Sequence, residues 1–235
     1  MSVMSTPDHH AATRVAAIFD LDDTLLAGSS GKMMIRYLRS TGELTRYFRR
    51  RDLVRTVALI AGWQMGVLDP YRAMEATARL SAGMDVAAMW ALVHRWFDDM
   101  VVHAIRPEAT ARLAWHREQG HIPVICSASS QFSVIPVADY LDIDHRVYTE
   151  LESEDGRLTG TLRQPIVYGP GKVTWMARWA AANDVDLGAS HFYSDHVSDV
   201  ALLELVAHPY AVNPHAALRR LATQRGWPVL DWHQA

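Results

Sequence analysis

The feature that most constrains the fold lies near the start of the chain, where an apolar segment ends in a run of acids. Val15 to Phe19 is a continuous apolar run of strand length, and Asp20, Asp22 and Asp23 follow it directly. Open α/β sheets bind their ligands at the carboxyl ends of the strands, and the acids lie at such an end. Alternation along an extended backbone directs the side chains of Asp20 and Asp22 to the same side. The run therefore predicts a buried strand that delivers two carboxylates to one site.

Two carboxylates this close favour a bound cation. They repel and raise each other's pKa unless a cation lies between them. Oxygen ligands suit a hard cation, and Mg²⁺ is usually held by one or two carboxylates together with a substrate phosphate. On these residues alone, a solvated acidic turn after a strand remains an equally simple interpretation.

Three later segments place polar side chains at a strand end or a helix start. They are Ser127 after the apolar run 124–126, Lys172 at the start of the helical pattern 173–182, and Asp195 with Asp199 after the short strand 191–194. Together with Asp-x-Asp-x-Thr at 20–24, they resemble, in order, the four motifs of the haloacid dehalogenase superfamily of phosphohydrolases. The resemblance extends from about Arg14 to Trp232. It is closest to subfamily IB, the phosphoserine-phosphatase-like branch, in which an all-helical cap follows the first motif.

The resemblance implies a role for each motif residue. Asp20 would attack phosphorus and form an aspartyl-phosphate. Asp22 would protonate the leaving oxygen and then deprotonate the attacking water. Mg²⁺ would be held by Asp20, the main-chain carbonyl of Asp22, and Asp195. Ser127 and Lys172 would bind the phosphoryl oxygens.

Two further residues have supporting roles in this interpretation. Asp199 would orient Lys172 or a metal-bound water, and Thr24 would support the loop that carries Asp22. Asp23 has no role that the sequence supports. His196, beside a proposed metal ligand, is a weaker candidate for a base or ligand because oxygen donors suit Mg²⁺ better.

Each motif residue also has a purely structural alternative. Ser127 could be an ordinary hydroxyl at a strand end, and Asp195 and Asp199 could be a helix cap and a first-turn acid. Lys172 could be a solvated residue at a helix start. A cation at that position opposes the helix dipole, however, and needs an anion nearby.

The order of secondary-structure patterns predicts an α/β fold with a Rossmann-like three-layer core around a parallel sheet. Strand patterns alternate with helical patterns, and they fall at 14–20, 121–127, 145–151, 191–195, 210–212 and 227–230. Asp155-Gly156 predicts a hairpin turn after the third strand. Residues 29–104 are helical in pattern throughout, and Asp69-Pro70 is typical of a helix start. We therefore expect a core of residues 1–28 and 105–235, with 1–13 as a loose tail, and a helical cap of 29–104.

Composition narrows the possible partners. The 235 residues carry a net charge of −3, which gives no basic surface for nucleic acid. The one cysteine, Cys126, cannot form an internal disulfide. We find no uninterrupted apolar stretch of about 18 residues that would span a membrane, and no signal peptide at the start. These features predict a cytoplasmic protein, and the resemblance implies that its partner is a small phosphate ester.

The cap region bears on the substrate. The stretch 27–32 contains no acid that would bind the ammonium group of phosphoserine, and it carries Lys32 instead. Five arginines between 46 and 55 precede an apolar, tryptophan-containing stretch that ends at Leu68. We favour a packed cap helix with solvated arginines. Contact with an anionic membrane surface, or a grip on a second acidic group of the substrate, stays open.

The sequence as a whole predicts a magnesium-dependent phosphomonoesterase. Its substrate would be a small metabolite, by resemblance phosphoserine or histidinol phosphate. The alternatives are a phosphatase acting on a lipid phosphate at a membrane surface and a non-catalytic, phosphate-dependent binding module. A water-activating acid at Asp22 argues against the module, because that acid makes an aspartyl-phosphate short-lived.

Overall fold

A six-stranded parallel sheet forms the centre of the protein. The structure is a computed structural model that describes residues 14–47, 58, 59, 62 and 68–232. The strands in chain order are β1 Ala16–Phe19, β2 Ile122–Ser130, β3 His145–Thr149, β4 Leu151–Glu154, β5 Arg157–Leu162, β6 His191–Ser194, β7 His208–Val212 and β8 Val229–Leu230. The main sheet has the order β3-β2-β1-β6-β7-β8, and β4 pairs with β5 in a separate hairpin. The predicted parallel sheet is confirmed.

Helices cover both faces of this sheet and make it the middle of three layers. They are Pro107–Glu118, Gln131–Tyr140, Pro170–Ala182, the single turn Val200–Leu203, and Ala216–Arg225. Alternate residues of β1 enter opposite layers: Ala17 and Phe19 belong to one buried cluster, and Ala16 and Ile18 belong to the other. All four are fully buried. A continuous apolar run is therefore what a central strand covered on both faces requires.

The described part of residues 29–104 is helical, as the pattern predicted. The helices are Ser30–Ser40, Leu44–Tyr47, Pro70–Ala78 and Val86–Trp96. The predicted start at Asp69-Pro70 is confirmed, since the Asp69 side chain accepts a hydrogen bond from the Arg72 amide at 3.1 Å. In the helix Val86–Trp96, the side chains of Leu92, Val93 and Trp96 are buried, as helical spacing of apolar residues requires.

The chain leaves and re-enters the core at one paired crossing. Leu26 forms an antiparallel bridge with Ile105. The Ala27 amide donates to the Ala104 carbonyl at 2.7 Å, and the Arg106 amide donates to the Leu25 carbonyl at 2.9 Å. The two expected boundaries of the inserted segment, after residue 28 and after residue 104, lie beside this crossing.

The hairpin of β4 and β5 gives the helical segment a second contact with the core. Its turn has positive φ at Asp155 (48°) and Gly156 (74°), which confirms the predicted hairpin. The Val86 amide donates to the Gly156 carbonyl at 2.9 Å. A Cβ atom on Gly160 would lie 2.8 Å from the Cβ of Ala82, so the hairpin packs tightly on this segment.

Several predicted element ends were wrong. The strand expected over 145–151 is two strands, because β3 ends at Thr149 and β4 starts the hairpin at Leu151. The strand expected over 121–127 continues to Ser130 as β2. The strand expected over 210–212 starts two residues earlier, at His208, as β7.

Two sequence expectations concern membrane contact. In the part of the chain that the structure describes, no helix is long and apolar enough to cross a membrane. Of the five arginines between 46 and 55, Arg46 is exposed and pairs with Glu43 at 3.4 Å. Arg49, Arg50, Arg51 and Arg55 lie outside the described residues, as does most of the apolar stretch that follows them.

Candidate active site

Asp20 lies at the carboxyl end of β1, in the middle of the sheet. Its amide donates to the Tyr193 carbonyl of β6 at 2.9 Å, so the backbone of Asp20 is still part of the sheet. The chain then turns sharply: Asp22 is extended, Asp23 has a φ of 54°, and the Leu26 amide donates to the Leu21 carbonyl at 2.9 Å. This turn keeps both Asp20 and Asp22 at the end of the strand.

Lys172 joins two of the acids in a buried ion-pair network. Its Nζ lies 2.9 Å from Asp20 Oδ1 and 2.7 Å from Asp199 Oδ2. The Ser194 hydroxyl donates to the same Asp199 oxygen at 2.7 Å. The Lys172 side chain is only 2% exposed. The alternative of a solvated residue at a helix start is therefore wrong.

The charges in this network explain its protonation. Burial alone would lower the pKa of Lys172, but the carboxylates of Asp199 and Asp20 outweigh burial and raise it, so the ammonium persists. Burial raises the pKa of Asp20, the ion pair with Lys172 lowers it, and the charge of Asp199 raises it again. A buried lysine is stable here because it is paired on two sides.

Asp195, at the end of β6, is buried next to these acids. Burial is the main cause of its raised pKa, and the charge of Asp20 is the second. One ligand atom each from Asp23, Asp195 and His215 lies within 4.8 Å of the other two. His215 Nε2 is 3.3 Å from Asp195 Oδ2.

These groups fit a hard divalent cation. Burial and mutual repulsion raise the pKa values of these carboxyl groups, because the positive charge near them is too small to keep them all ionised. A cation beside them would supply that charge. The oxygen donors of Asp20 and Asp195 are of the kind that Mg²⁺ prefers. The imidazole of His215 is a poorer donor for Mg²⁺ and is exposed, so it fits better as a neighbour of Asp195 than as a ligand.

Asp22 is held by two hydrogen bonds from different parts of the chain. The Ser30 amide donates to Asp22 Oδ1 at 2.7 Å, and the Ser129 hydroxyl donates to Asp22 Oδ2 at 2.8 Å. Ser30 is the first residue of the helix Ser30–Ser40, whereas Ser129 belongs to β2. Burial raises the pKa of Asp22, and the bonds from Ser30 and Ser129 oppose that rise. A carboxyl group tuned in this way can both give and take a proton.

Ser127 and Thr24 lie nearby with different environments. Ser127 is buried on β2, and its oxygen accepts a hydrogen bond from the Ser129 amide at 3.1 Å. The Thr24 hydroxyl is buried and has no hydrogen-bond partner among the described residues. No hydrogen bond of this hydroxyl to a described residue supports the loop, and the expected role of Thr24 stays a prediction.

His196 has a local structural role. Its Nδ1 accepts from the Ser198 amide at 3.2 Å and lies 2.9 Å from the Ser198 hydroxyl. These contacts cap the short turn that leads to Asp199. Since Nδ1 is occupied in this way, the arrangement does not favour His196 as a base or metal ligand.

Four residues of the site were not identified from the sequence: Ser30, Ser129, Ser194 and His215. Ser129 had a usable signal, because it lies two positions after Ser127 and a strand continuing to Ser130 puts both on one side. Ser194 directly precedes Asp195. His215 had no signal, since it reaches Asp195 from the turn after β7.

Comparisons with known proteins agree with this geometry. The profile of the haloacid dehalogenase-like hydrolase family matches residues 17–204. An "inhibition of morphological differentiation protein" of Streptomyces azureus is 34% identical over 231 residues, which are 97% of this chain and 82% of that protein. A histidinol-phosphatase of Neisseria meningitidis is 30% identical over 224 residues, which are 92% of this chain and 98% of that enzyme.

Solved structures share the same architecture. A Bordetella pertussis protein of unknown function superposes with a TM-score of 0.85 at 32% identity and covers 94% of this chain and 100% of its own. A phosphoserine phosphatase with a phospho-aspartyl intermediate analogue superposes with a TM-score of 0.66 at 14% identity, covering 94% of each chain. At that identity, the second likeness concerns the fold alone.

Proposed function

The chain belongs to the haloacid dehalogenase-like hydrolase family and is a phosphoric monoester hydrolase; on that premise we propose a magnesium-dependent phosphatase that works through an aspartyl-phosphate on Asp20. Its substrate in this proposal is a small phosphorylated metabolite. The observation that carries the proposal is the difference between the environments of two acids. Asp20 is bound to Lys172 in a buried network, whereas Asp22 is held apart from it by Ser30 and Ser129.

In the first step, a carboxylate oxygen of Asp20 attacks phosphorus. The new oxygen–phosphorus bond forms while the bond to the leaving oxygen breaks, and Asp22 gives that oxygen a proton. Lys172 and Ser127 bind the oxygens of the transferring phosphoryl group. Asp199 holds the lysine in position, and the Ser194 hydroxyl donates to the same Asp199 oxygen.

In the second step, Asp22 is a carboxylate and takes a proton from water. The water oxygen attacks phosphorus, the bond to Asp20 breaks, and inorganic phosphate leaves. Both acids then have their starting protonation. The raised pKa of Asp22 supports this cycle, since the group must carry a proton in one step and lose it in the next.

Mg²⁺ completes the site in this proposal. Its ligands would be Asp20, the main-chain carbonyl of Asp22, and Asp195. When bound, the ion would neutralise negative charge on the phosphoryl group and on the carboxylates. The raised pKa values of Asp20 and Asp195 support such a need for positive charge.

The helical segment 29–104 acts as a cap in this proposal. Residues 14–28 and 105–232 would form the catalytic core, and the paired crossing at Leu26 and Ile105 would join the two parts. The contact of Ser30 with Asp22 brings the first helix of the cap to the acid. The cap is therefore the natural source of substrate contacts.

Histidinol phosphate is the first substrate to test. The histidinol-phosphatase of Neisseria meningitidis resembles this chain over nearly the full length of both. Phosphoserine is the second candidate and has weaker support. The stretch 27–32 has no acid for its ammonium group, and in this stretch Ser30 binds Asp22 while Lys32 is exposed.

Phosphate release from a panel of esters tests the proposal. The panel contains histidinol phosphate, phosphoserine, and sugar, nucleotide and lipid phosphates, each with Mg²⁺ and with chelator. We expect Mg²⁺-dependent turnover that Asp20→Asn abolishes. The matched control Asp139→Asn, which alters an exposed acid paired with Arg146 at 2.7 Å, should keep full activity. Equal turnover in Asp20→Asn and wild type would exclude the mechanism.

A lipid phosphate is the second candidate substrate, and a basic face of the cap favours it. Lys32, Arg36 and Arg39 lie on one exposed face of the helix Ser30–Ser40, and with Ile35 they line a pocket of about 270 Å³. Basic side chains on one face of a helix suit an anionic lipid surface. Sedimentation with phosphatidylserine vesicles at low salt tests this candidate. A chain that stays in the supernatant is not a membrane-surface phosphatase.

A further inference from the structure

Three histidines meet at the amino-terminal edge of the sheet, opposite the acids. We call His116, His121 and His191 the histidine cluster. His116 belongs to the helix Pro107–Glu118, His121 directly precedes β2, and His191 opens β6. One ring nitrogen from each lies within 4.8 Å of one from each of the others. His191 is four residues before Asp195 on the same chain, so the cluster is about 13 Å from the acids.

The backbone fixes this arrangement. The helix ends at Glu118, Gly120 just beyond it has a φ of 74°, and the His121 amide donates to the His116 carbonyl at 3.0 Å. This is the bond that brings the residue after a helix end back over the last turn. His191 is held by its strand, where it pairs with Ala17 on one side and His208 on the other. Three elements therefore hold the cluster together.

Hydrogen bonding inside the cluster leaves one buried ring nitrogen without a partner among the described residues. Nε2 of His116 lies 2.9 Å from the Tyr193 hydroxyl, and Nδ1 of His116 lies 2.8 Å from Nδ1 of His121. Two neutral imidazoles can share only one proton across such a contact. Nδ1 of His191 is buried and has no hydrogen-bond partner among the described residues. A buried nitrogen without a partner is costly unless a ligand satisfies it.

The imidazoles are neutral at physiological pH. Burial lowers the pKa of His116 to about 3 and that of His191 to about 4, and neighbouring histidines lower both further. Burial also lowers the pKa of His121. Metals bind the neutral ring, so this ligand set is ready without loss of a ring proton to solvent.

One cation lies close to the cluster. The guanidinium of Arg112 is 5.5 Å from the ring centre of Trp115 and 5.9 Å from those of Tyr193 and Tyr210. The faces of these rings stabilise the guanidinium by cation–π contact. The aromatic rings thereby offset part of the repulsion that Arg112 would exert on a bound ion.

We propose that the histidine cluster binds a late first-row divalent metal ion, and that Zn²⁺ fits it. Nitrogen donors select zinc over magnesium, so this site and the acidic site would not compete for one ion. A zinc–nitrogen distance of about 2.0–2.1 Å places tetrahedral ligand nitrogens about 3.4 Å apart. The ring nitrogens, which lie within 4.8 Å of one another, would adjust to that spacing, and water would take the fourth position. The contact of His116 with Tyr193 orients the ligand ring, as outer hydrogen bonds commonly do.

The bound ion would join three elements of the core. It would tie the end of the helix Pro107–Glu118 to the starts of β2 and β6. Its effect is on stability, because the cluster lies on the far side of the sheet from the acids. At a free Zn²⁺ concentration about 100 times the Kd, the melting temperature should rise by about 5–10 °C.

Metal titration of the full chain tests this inference. The protein is stripped with chelator, dialysed into millimolar Mg²⁺, and titrated with Zn²⁺ against a chromophoric competitor. A parallel titration with Co²⁺ is followed by its visible absorption. The variants are His121→Gln, at a partly buried position, and His191→Gln, at a buried one. The matched control is His94→Gln, an exposed histidine of the cap.

We expect one tightly bound Zn²⁺ and an intense four-coordinate Co²⁺ spectrum in wild type and in His94→Gln. Affinity should fall at least 100-fold in His121→Gln and in His191→Gln, and the thermal shift should vanish in both. Absence of Zn²⁺ binding in wild type would overturn the inference. Unchanged affinity in His121→Gln would overturn it too, as would loss of binding in His215→Gln alone, which would move the ion to the acidic site.

Discussion

At the scale of single residues, the site gives different environments to Asp20, the proposed nucleophile, and Asp22, the proposed proton donor. The ion pair with Lys172 lowers the pKa of Asp20 and so opposes the rise that burial causes. Asp22 has no ion pair with Lys172 and depends on hydrogen bonds from Ser30 and Ser129. The two acids are two positions apart in sequence but have different environments, and that difference suits different chemical roles.

The first prediction distinguishes these roles by matched substitutions. Asp20→Asn should form no covalent intermediate, because an amide does not attack phosphorus. Asp22→Asn should form the aspartyl-phosphate and hydrolyse it more slowly by a factor of about 10²–10⁴, since no base activates the water. Intact-mass spectrometry after acid quench measures the phosphorylated fraction. Detection of a stable phosphoryl adduct on Asp20→Asn would contradict the assignment.

The second prediction concerns Ser129, which the sequence did not single out. Ser129→Ala removes a hydrogen bond that favours the charged form of Asp22, so the pKa of Asp22 should rise. The acid limb of the pH profile of kcat should therefore move to higher pH, and kcat at pH 7 should fall about tenfold. Ser130→Ala is the matched control on the neighbouring position. An unshifted acid limb in Ser129→Ala would show that this bond does not tune Asp22.

Much of the site was predictable at the residue scale, because its acids and lysine have local signals. Asp20, Asp195 and Lys172 each follow a buried strand or start a helix, and those places are readable from hydrophobic pattern alone. His215 was not predictable, because its approach to Asp195 depends on how the turn after β7 folds. The same holds for Ser30, because the contact of its amide with Asp22 has no signal in the side-chain pattern.

At the scale of elements, the helix Pro170–Ala182 determines where the lysine of the site lies. This helix begins in close contact with the preceding loop: a Cβ atom on Gly171 would overlap the carbonyl oxygen of Ile166. The position next to Lys172 must therefore be glycine. Because the helix starts this close to the loop, the side chain of Lys172 is buried at the carboxyl-terminal edge of the sheet.

The third prediction follows from that close approach. Gly171→Ala should push the helix start away from Ile166, lower the free energy of unfolding by about 3 kcal/mol, and reduce kcat because Lys172 moves. Gly31→Ala is the control, since its Cβ would be 3.9 Å from Ser29 Oγ and alanine favours a helix. Urea unfolding and steady-state kinetics measure both effects. Equal stability of Gly171→Ala and Gly31→Ala would contradict the packing argument.

The elements themselves were predictable in type more than in extent. The hydrophobic pattern identified each parallel strand. It merged β3 and β4 into one strand, because no residue around Glu150 marks a break. It also ended β2 three residues early, because Ala128, Ser129 and Ser130 do not continue the apolar run. Strand ends at a site are polar for functional reasons, so hydrophobicity underestimates their length.

At the scale of the whole molecule, the acidic site makes the metal-free protein sensitive to pH. Burial raises the pKa of Asp20 to about 7 and that of Asp195 to about 9. The folded chain therefore holds protons that the unfolded chain has already released, and folding stability falls as pH rises through these values. The buried histidines are neutral in the folded chain, and unfolded histidine is almost fully neutral above about pH 8, so they offset little of this slope between pH 8 and 9.

The fourth prediction is the measurable form of this linkage. In chelator, the melting temperature should fall by roughly 2–4 °C per pH unit between pH 7 and 9. With saturating Mg²⁺ the slope should flatten, because the ion supplies the charge that the protons supplied. Differential scanning calorimetry at pH 7, 8 and 9 measures both series. Asp195→Asn should show a shallower slope in chelator, and a melting temperature that rises with pH in that series would refute the argument.

The overall division into sheet and helical segment was predictable, whereas their mutual contacts were not. The apolar residues of 29–104 recur with a helical period, whereas the rest of the chain contains apolar runs of strand length. The pairing of Leu26 with Ile105, and of Gly83 and Val86 with the β4–β5 hairpin, depends on distant segments meeting in space. No local pattern encodes such contacts.

The bond between the Ser30 amide and Asp22 has a consequence for how the enzyme admits its substrate. Ser30 begins the helix Ser30–Ser40, so a movement of this helix that opened an entrance would also remove one of the two hydrogen bonds on Asp22, the proposed proton donor. Opening for the substrate and loss of this hydrogen bond would then be one movement. The open state would bind phosphate esters without hydrolysing them, and only the closed state would be active.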